Sequence, residues 1–167
     1  YYIKMTDAFA ELDPKHRVKW IGPDMSVRSS ITARLMETWA HGLAIYDALG
    51  VVRQDADRIK NIVVLGINTF NWSFQVKGQT PPGQLPFIEL AAPSGEIWQF
   101  GEPNDVSAVS GTASDFCQVV TQTRNISDTN LKLIGPVAEA WMSHAQCCAG
   151  PPETPAEENT RFTKALA

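Results

Sequence analysis

The stretch "SVRSSITARLMETWAHGLAIYDALG", residues 26–50, decides how the fold is read. Ser26 can cap a helix N-terminus and Gly50 is the residue favoured just past a helix end, so one helix is predicted from Ser26 to about Leu49. At about 100° per residue, Leu35, Trp39, Leu43 and Tyr46 fall on one side. Ser30, Ala33, Ala44 and Ala48 fall on the other, and with them Glu37 and His41, about 40° apart. A helix apolar around most of its circumference is expected to be buried, and ionisable groups on it then need partners. A divalent metal is one such partner. Carboxylate and neutral imidazole are both zinc ligands, and i, i+4 spacing aims them at one point beside the helix. The small residues leave room for an ion and for something bound to it. The alternative is a Glu–His hydrogen bond along an exposed helix, for E-x-x-x-H alone is short and common.

Working outward, "YYIKMTDAFAELDP", residues 1–14, has Tyr2, Met5, Phe9 and Leu12 at helical spacing until Asp13-Pro14. It starts without Met and without a cap, which leads to the expectation that an N-terminal portion of the natural protein is missing. A connector follows, with turn chemistry at Gly22-Pro23-Asp24. Downstream, a second long helix is predicted from Asp55 to about Val76, its length outweighing the β-branched pair Val63-Val64.

"QTPPGQLP", residues 79–86, reads as a linker, because closely spaced Pro and Gly suit neither helix nor sheet interior. Beyond it the hydrophobic period changes. "FIELAA" and "EIWQFG" are expected to pair as a hairpin across Pro93-Ser94-Gly95, and "VSAVSG" to add a third strand. "TASDFCQVVTQTR" predicts a helix burying Phe116, Val119 and Val120. "TNLKLIG" predicts a short strand, and "PVAEAWMSHAQCCAG" a closing helix with Pro136 in its first turn. From Pro151 onward the chain is Pro- and Glu-rich, as in a flexible tail. The expected class is therefore α+β: a helical part over 1–78, a linker over 79–86, a small α/β domain over 87–150 and a tail over 151–167.

The 167 residues are 44% hydrophobic and 19% charged, with a formal net charge of −4. That composition suits a globular chain with a real core, and it supplies no general attraction to nucleic acid or anionic membrane. No apolar run is long enough to span a bilayer, and the start lacks the pattern of a signal peptide. Three cysteines, two of them adjacent at 147 and 148, make neither a disulfide framework nor a zinc spacing and suit a reducing compartment. A cytoplasmic protein is expected.

The stretches "WIGPDMSVRSSITARLMETWAHG" and "DALG", with "IELAAPSGEIWQFG", "VSGTASDFCQVVTQTR" and "SDTNLKLIGPVAEAWMSHAQCCAGPP", resemble a family of actinobacterial-type metal-binding proteins. That family is related to mycothiol-dependent maleylpyruvate isomerase, within the DinB-like superfamily. The resemblance covers nearly everything from Trp20 to Pro152. It implies a partial DinB-like helical bundle carrying a divalent metal, followed by a small α/β domain resembling the sterol-carrier fold. It also implies Glu37 and His41 as metal ligands, a further His from an earlier bundle helix upstream of Tyr1, and an Arg near the active site whose nearest match is Arg124. The other reading of Arg124 is a helix-end charge stabilising the dipole. Where a further acid is expected three positions after the His, this sequence has Ala44, and Asp47 is the next acid. The "WIGPDM…METWAHG" region also resembles proteins labelled as wyosine base formation proteins, a tRNA-modification function that the acidic balance disfavours.

Other residues have plainer readings. His16 sits in a charged connector, His144 is expected to be packed near Trp141, and Cys117 reads as a small core residue. The five tryptophans are spread over both halves, as core residues are, and form no base-stacking platform.

Two functional classes follow. In the first, a divalent ion, zinc by expectation, activates a small thiol such as mycothiol, or water, for an isomerase or transferase reaction on a small molecule, with Arg124 as the catalytic candidate. In the second, the chain is a non-catalytic ligand-binding or dimerisation module with a structural metal or none. Helices lacking bundle partners are further expected to leave Val27, Ile31, Leu35, Trp39, Leu43 and Tyr46 facing water. That favours a homodimer or association with the missing N-terminal segment.

Overall fold

The computed structural model describes residues 2–19 and 24–161; Trp20 and the Gly22-Pro23 turn lie outside the described residues. Helix α1 (Tyr2–Ala10) carries Ile3 and Met5 in solvent. Two short antiparallel strands, β1 (Arg17–Val18) and β2 (Met25–Ser26), lead into α2 (Val27–Leu49). The ends of α2 follow the local chemistry. Ser26 Oγ accepts from the Ser29 amide, and Gly50, at φ 66°, turns the chain out in the left-handed conformation.

The second long helix is not continuous. A 3-10 turn (Asp57–Ile59) opens it, and α3 (Lys60–Asn68) gives way at Thr69 to α4 (Phe70–Gln75). The cause lies at Thr69, not at Val63-Val64. Its hydroxyl donates to the carbonyls of Leu65 and Gly66, both at 2.9 Å, a back-bond that bends helices. The bend lets Phe70 meet Trp141 edge to face and Phe74 meet the His144 ring. Asp55, expected as the helix start, serves elsewhere: its carboxylate accepts from Trp39 Nε1, Arg53 Nε and Ser114 Oγ, tying α2 to the segment that follows the sheet.

No helix or strand forms over 79–86. Strands β3 (Phe87–Ala91) and β4 (Ile97–Phe100) form the expected hairpin, with Leu90 opposite Trp98. The third strand, β5 (Ala108–Thr112), runs parallel to β3, and β6 (Lys132–Ile134) is antiparallel to β5, giving the order β4-β3-β5-β6. Helices α5 (Ala113–Val120) and α6 (Pro136–Met142) follow β5 and β6. The class is α+β, with helices packed on one face of a mixed sheet. Ile88, Leu90, Trp98 and Val109 alternate onto the covered face, while Glu89 and Gln99 pair across the polar one.

The core is continuous from α2 to α6. Met36 and Trp39 of α2, Ile62 and Val63 of α3, Phe116 and Val120 of α5, and Trp141 of α6 join the sheet residues in one cluster. Each such side chain contributes about 1.5–3 kcal/mol by leaving water. The segment from Pro151 is held as well: Glu153 N donates to Gln146 Oε1 and Asn125 Nδ2 donates to the Ala156 carbonyl.

Helix α2 is not buried all round. Val27, Trp39 and Leu43, expected to face water, lie in the core, and of that set only Ile31 and Tyr46 are exposed. The reason is that α3, β1 and β2 pack against that side of the helix. The exposed aliphatic residues are on the opposite flank, at Ile45 and Leu49 and in the following Val52.

Candidate functional site

Glu37 and His41 stand on the outer side of α2, where His41 Nε2 lies 3.1 Å from Glu37 Oε2. Their side chains are 47% and 84% exposed, so the pair is not the buried couple that an apolar helix suggested. Both nevertheless line a cavity of about 700 Å3. One wall is α2, through Met36, Ala40, Leu43, Ala44 and Asp47; the facing wall is the loop after α5, from Thr121 to Arg124, with Cys148 and Glu153. Glu37, His41 and Arg124 are thereby brought to one space.

The loop holding Arg124 is tightly built. Gln122 takes φ 57°, a left-handed conformation rare outside glycine, and the amides of Thr123 and Arg124 both donate to the Gln118 carbonyl. Thr121 Oγ1 donates to the Cys117 carbonyl and lies 3.2 Å from Thr123 Oγ1. The result turns Arg124 toward α2, where Nη2 donates to Asp47 Oδ1 at 2.5 Å and Nη1 to the Thr123 carbonyl at 2.8 Å. Asp47 thus supports Arg124; it is not set behind His41. The Arg124 charge is spent on a buried pair and not at an exposed helix end. Nothing in the local sequence pairs Asp47 with Arg124, since the contact spans both halves of the chain. The polar wall formed by Thr121, Gln122 and Thr123 likewise had no sequence signal beyond its composition.

The thiols here are not activated. Burial, then the Glu153 and Glu37 carboxylates, push the Cys148 thiol above its ordinary value. Burial raises Cys147 and Cys117 further. A neutral thiol is a poor nucleophile, so none of the three supplies one at neutral pH. His144 packs against Phe74 and is held neutral by burial and then by Lys77. His16 is exposed in its connector.

As a metal site the residues are incomplete. Glu37 and His41 offer two donors side by side, but among the described residues no group of three or more His, Cys, Asp or Glu is arranged to hold an ion. The donor chemistry fits zinc and the number falls short of the three or four protein ligands zinc sites use. No helix among the described residues is long and apolar enough to cross a membrane.

An α+β chain with a carboxylate–imidazole pair on its longest helix, at the rim of a polar cavity, matches the expected family. Residues 2–46 match the mycothiol maleylpyruvate isomerase N-terminal domain, a DinB-like family to which the chain belongs, and that segment contains both Glu37 and His41. Two proteins of Mycobacterium tuberculosis are 45% identical to this chain over 136 residues: uncharacterized protein MT0041 of strain CDC 1551 / Oshkosh and uncharacterized protein Rv0036c of strain ATCC 25618 / H37Rv. The alignment covers 81% of this chain and 53% of each relative, so the chain spans about half the length of the curated relatives it matches. No solved structure matches it.

Proposed function

We propose that the chain is the metal-binding part of a cytoplasmic protein related to mycothiol-dependent isomerases and transferases, acting on a small molecule in the 700 Å3 cavity. The observation that supports this most is the convergence of Glu37, His41 and Arg124 on that one cavity, with the first two inside the family-matched segment. Glu37 Oε2 and His41 Nε2 would hold a zinc ion together with a third donor from outside the described residues. When bound, such an ion lowers the pKa of a coordinated thiol or water and makes it a nucleophile at neutral pH.

The chain's own residues do the rest. Glu37 supplies the negative charge that draws a cation to the rim, and it keeps the neighbouring imidazole in reach. Thr121, Thr123 and Gln122 offer hydroxyl and amide groups to a polar ligand. Asp47 fixes the guanidinium of Arg124, so Arg124 meets a substrate carboxylate only by exchanging Asp47 for it or through a donor the pair leaves over. In this reading residues 87–150 are the part that resembles the sterol-carrier fold, and the net charge of −4 sets nucleic acid and membrane aside as partners.

Zinc binding tests the reading. Titration calorimetry and elemental analysis on the purified protein should show an ion that is lost in Glu37→Gln and in His41→Ala. Undiminished zinc in both variants would place the site elsewhere. The second reading, a ligand-binding module without chemistry, is favoured by the closed Glu37–His41 hydrogen bond. It predicts small-molecule binding that neither zinc nor added thiol changes.

A further inference from the structure

A second cavity, of about 470 Å3, lies on the other side of Glu37. Met36, Glu37, Cys148 and Ala149 line both spaces, so the two share a wall and not merely a neighbourhood. We propose that this second cavity binds the flexible alkyl part of an amphipathic ligand whose neutral, hydroxyl-bearing head lies in the first cavity. The assignment deepens the function proposed above, because it names the class of ligand for the same site.

Two contrasts carry it. The first is in the lining. The second cavity is walled by Met25, Met36, Leu65, Trp72 and Cys147, with Ala33 leaving space on the helix side. Flexible methionines beside a small residue adapt to a chain of methylenes better than rigid branched groups do. Trp72 is 39% exposed at this wall, an unusual place for a large aromatic unless something covers it. The first cavity is polar, and its charges are matched in pairs: Arg124 with Asp47 and His41 with Glu37. What those pairs leave for a ligand are hydroxyls and an amide, and Gln122 Oε1 is buried without a hydrogen-bond donor. A neutral head rich in hydroxyls fits that wall better than an anion does.

The second contrast is along the helix. Ser30, Ala33 and Glu37 of α2 line the second cavity, and Glu37, His41, Ala44 and Asp47 line the first, so one face of one helix passes from the apolar space to the polar one. From Ser30 to Asp47 that face is about 25 Å long at 1.5 Å per residue. An extended molecule can therefore use both cavities without bending around a corner.

Octyl β-glucoside, kept below its micelle concentration, and methyl β-glucoside are the probes, with affinity read by calorimetry and by the fluorescence of Trp72. The octyl compound should bind at least tenfold more tightly than the methyl one. Ala33→Trp, which fills the second cavity, should remove that advantage while leaving the methyl compound and zinc unaffected. Trp72→Ala should reduce the octyl advantage several-fold, and it serves if Ala33→Trp loses its helical circular dichroism. Equal affinity for the two glucosides in the parent protein would overturn the proposal. So would an octyl advantage that survives both substitutions, since the alkyl chain would then sit elsewhere, for instance on the exposed Ile45–Leu49 flank. The zinc reading fails separately: zinc retained in His41→Ala, with the octyl advantage intact, removes the metal and keeps the alkyl site.

Discussion

Arg124 and Asp47, 77 residues apart in the chain, are joined by a 2.5 Å hydrogen bond between side chains only 8% and 17% exposed. The bond fastens the loop after α5 to the last turn of α2 and so sets the width of the polar cavity. Breaking a buried pair by removing one partner typically costs about 3–5 kcal/mol, because the other charge stays behind unpaired. Asp47→Ala and Arg124→Ala should each lower stability by an amount in that range in urea titrations. The double variant should lose less than the sum of the two.

Glu37 and His41 should behave in the opposite way. Their contact is an exposed i, i+4 pair, and such pairs contribute no more than about 0.5 kcal/mol. Glu37→Ala and His41→Ala should therefore leave the urea midpoint nearly unchanged while abolishing zinc binding. A large stability loss in either would show that the pair is structural.

Gly135 ends β6 and opens α6 at φ 84°, and a Cβ built there falls 2.0 Å from the Val106 carbonyl oxygen. Backbone cannot yield as a flexible side chain can. Gly135→Ala should destabilise by more than about 2 kcal/mol, with strain and clash adding. Gly42→Ala is the control, since a Cβ at Gly42 meets nothing within 4 Å and the residue lies inside a helix. It should be neutral or stabilising by up to about 1 kcal/mol in the same assay.

His144 gives the stability its pH dependence. Burial and Lys77 hold its imidazole below the ordinary value, so the unfolded chain takes up the proton first as pH falls. The contribution is present above the unfolded value, about 6.5, and is lost as pH drops below it, at no more than about 1.4 kcal/mol per pH unit. Melting temperature followed from pH 8 to pH 5 should fall more steeply for the parent protein than for His144→Asn.

The thiols should report their burial. Cys117 and Cys147 are buried and Cys148 is partly so, all with raised thiol values. Iodoacetamide at pH 8 should modify Cys148 more slowly than a free small thiol, and the other two only after unfolding. Mass spectrometry of timed samples checks the order.

What the sequence determined by itself is what neighbouring residues decide among themselves. Ser26 and Gly50 bound α2 by a side-chain oxygen and a left-handed backbone, and Pro93-Ser94-Gly95 turns β3 into β4. The alternation in "FIELA" sorts its residues between two faces, because the strand period is two wherever the strand lies. Glu37 and His41 were legible as a pair for the same reason, since helix geometry alone puts i and i+4 side by side. Their exposure was not legible: which flank of α2 meets α3 and which meets water depends on what packs there. The bend at Thr69 was hidden too, because its value lies in the fit of Phe70 and Phe74 against α6. Only the tertiary structure brought Arg124 to Asp47 and placed two cavities of opposite character along one helix. Those features arise between segments distant in the chain, where burial and charge pairing are settled by the whole fold and not by any window of sequence.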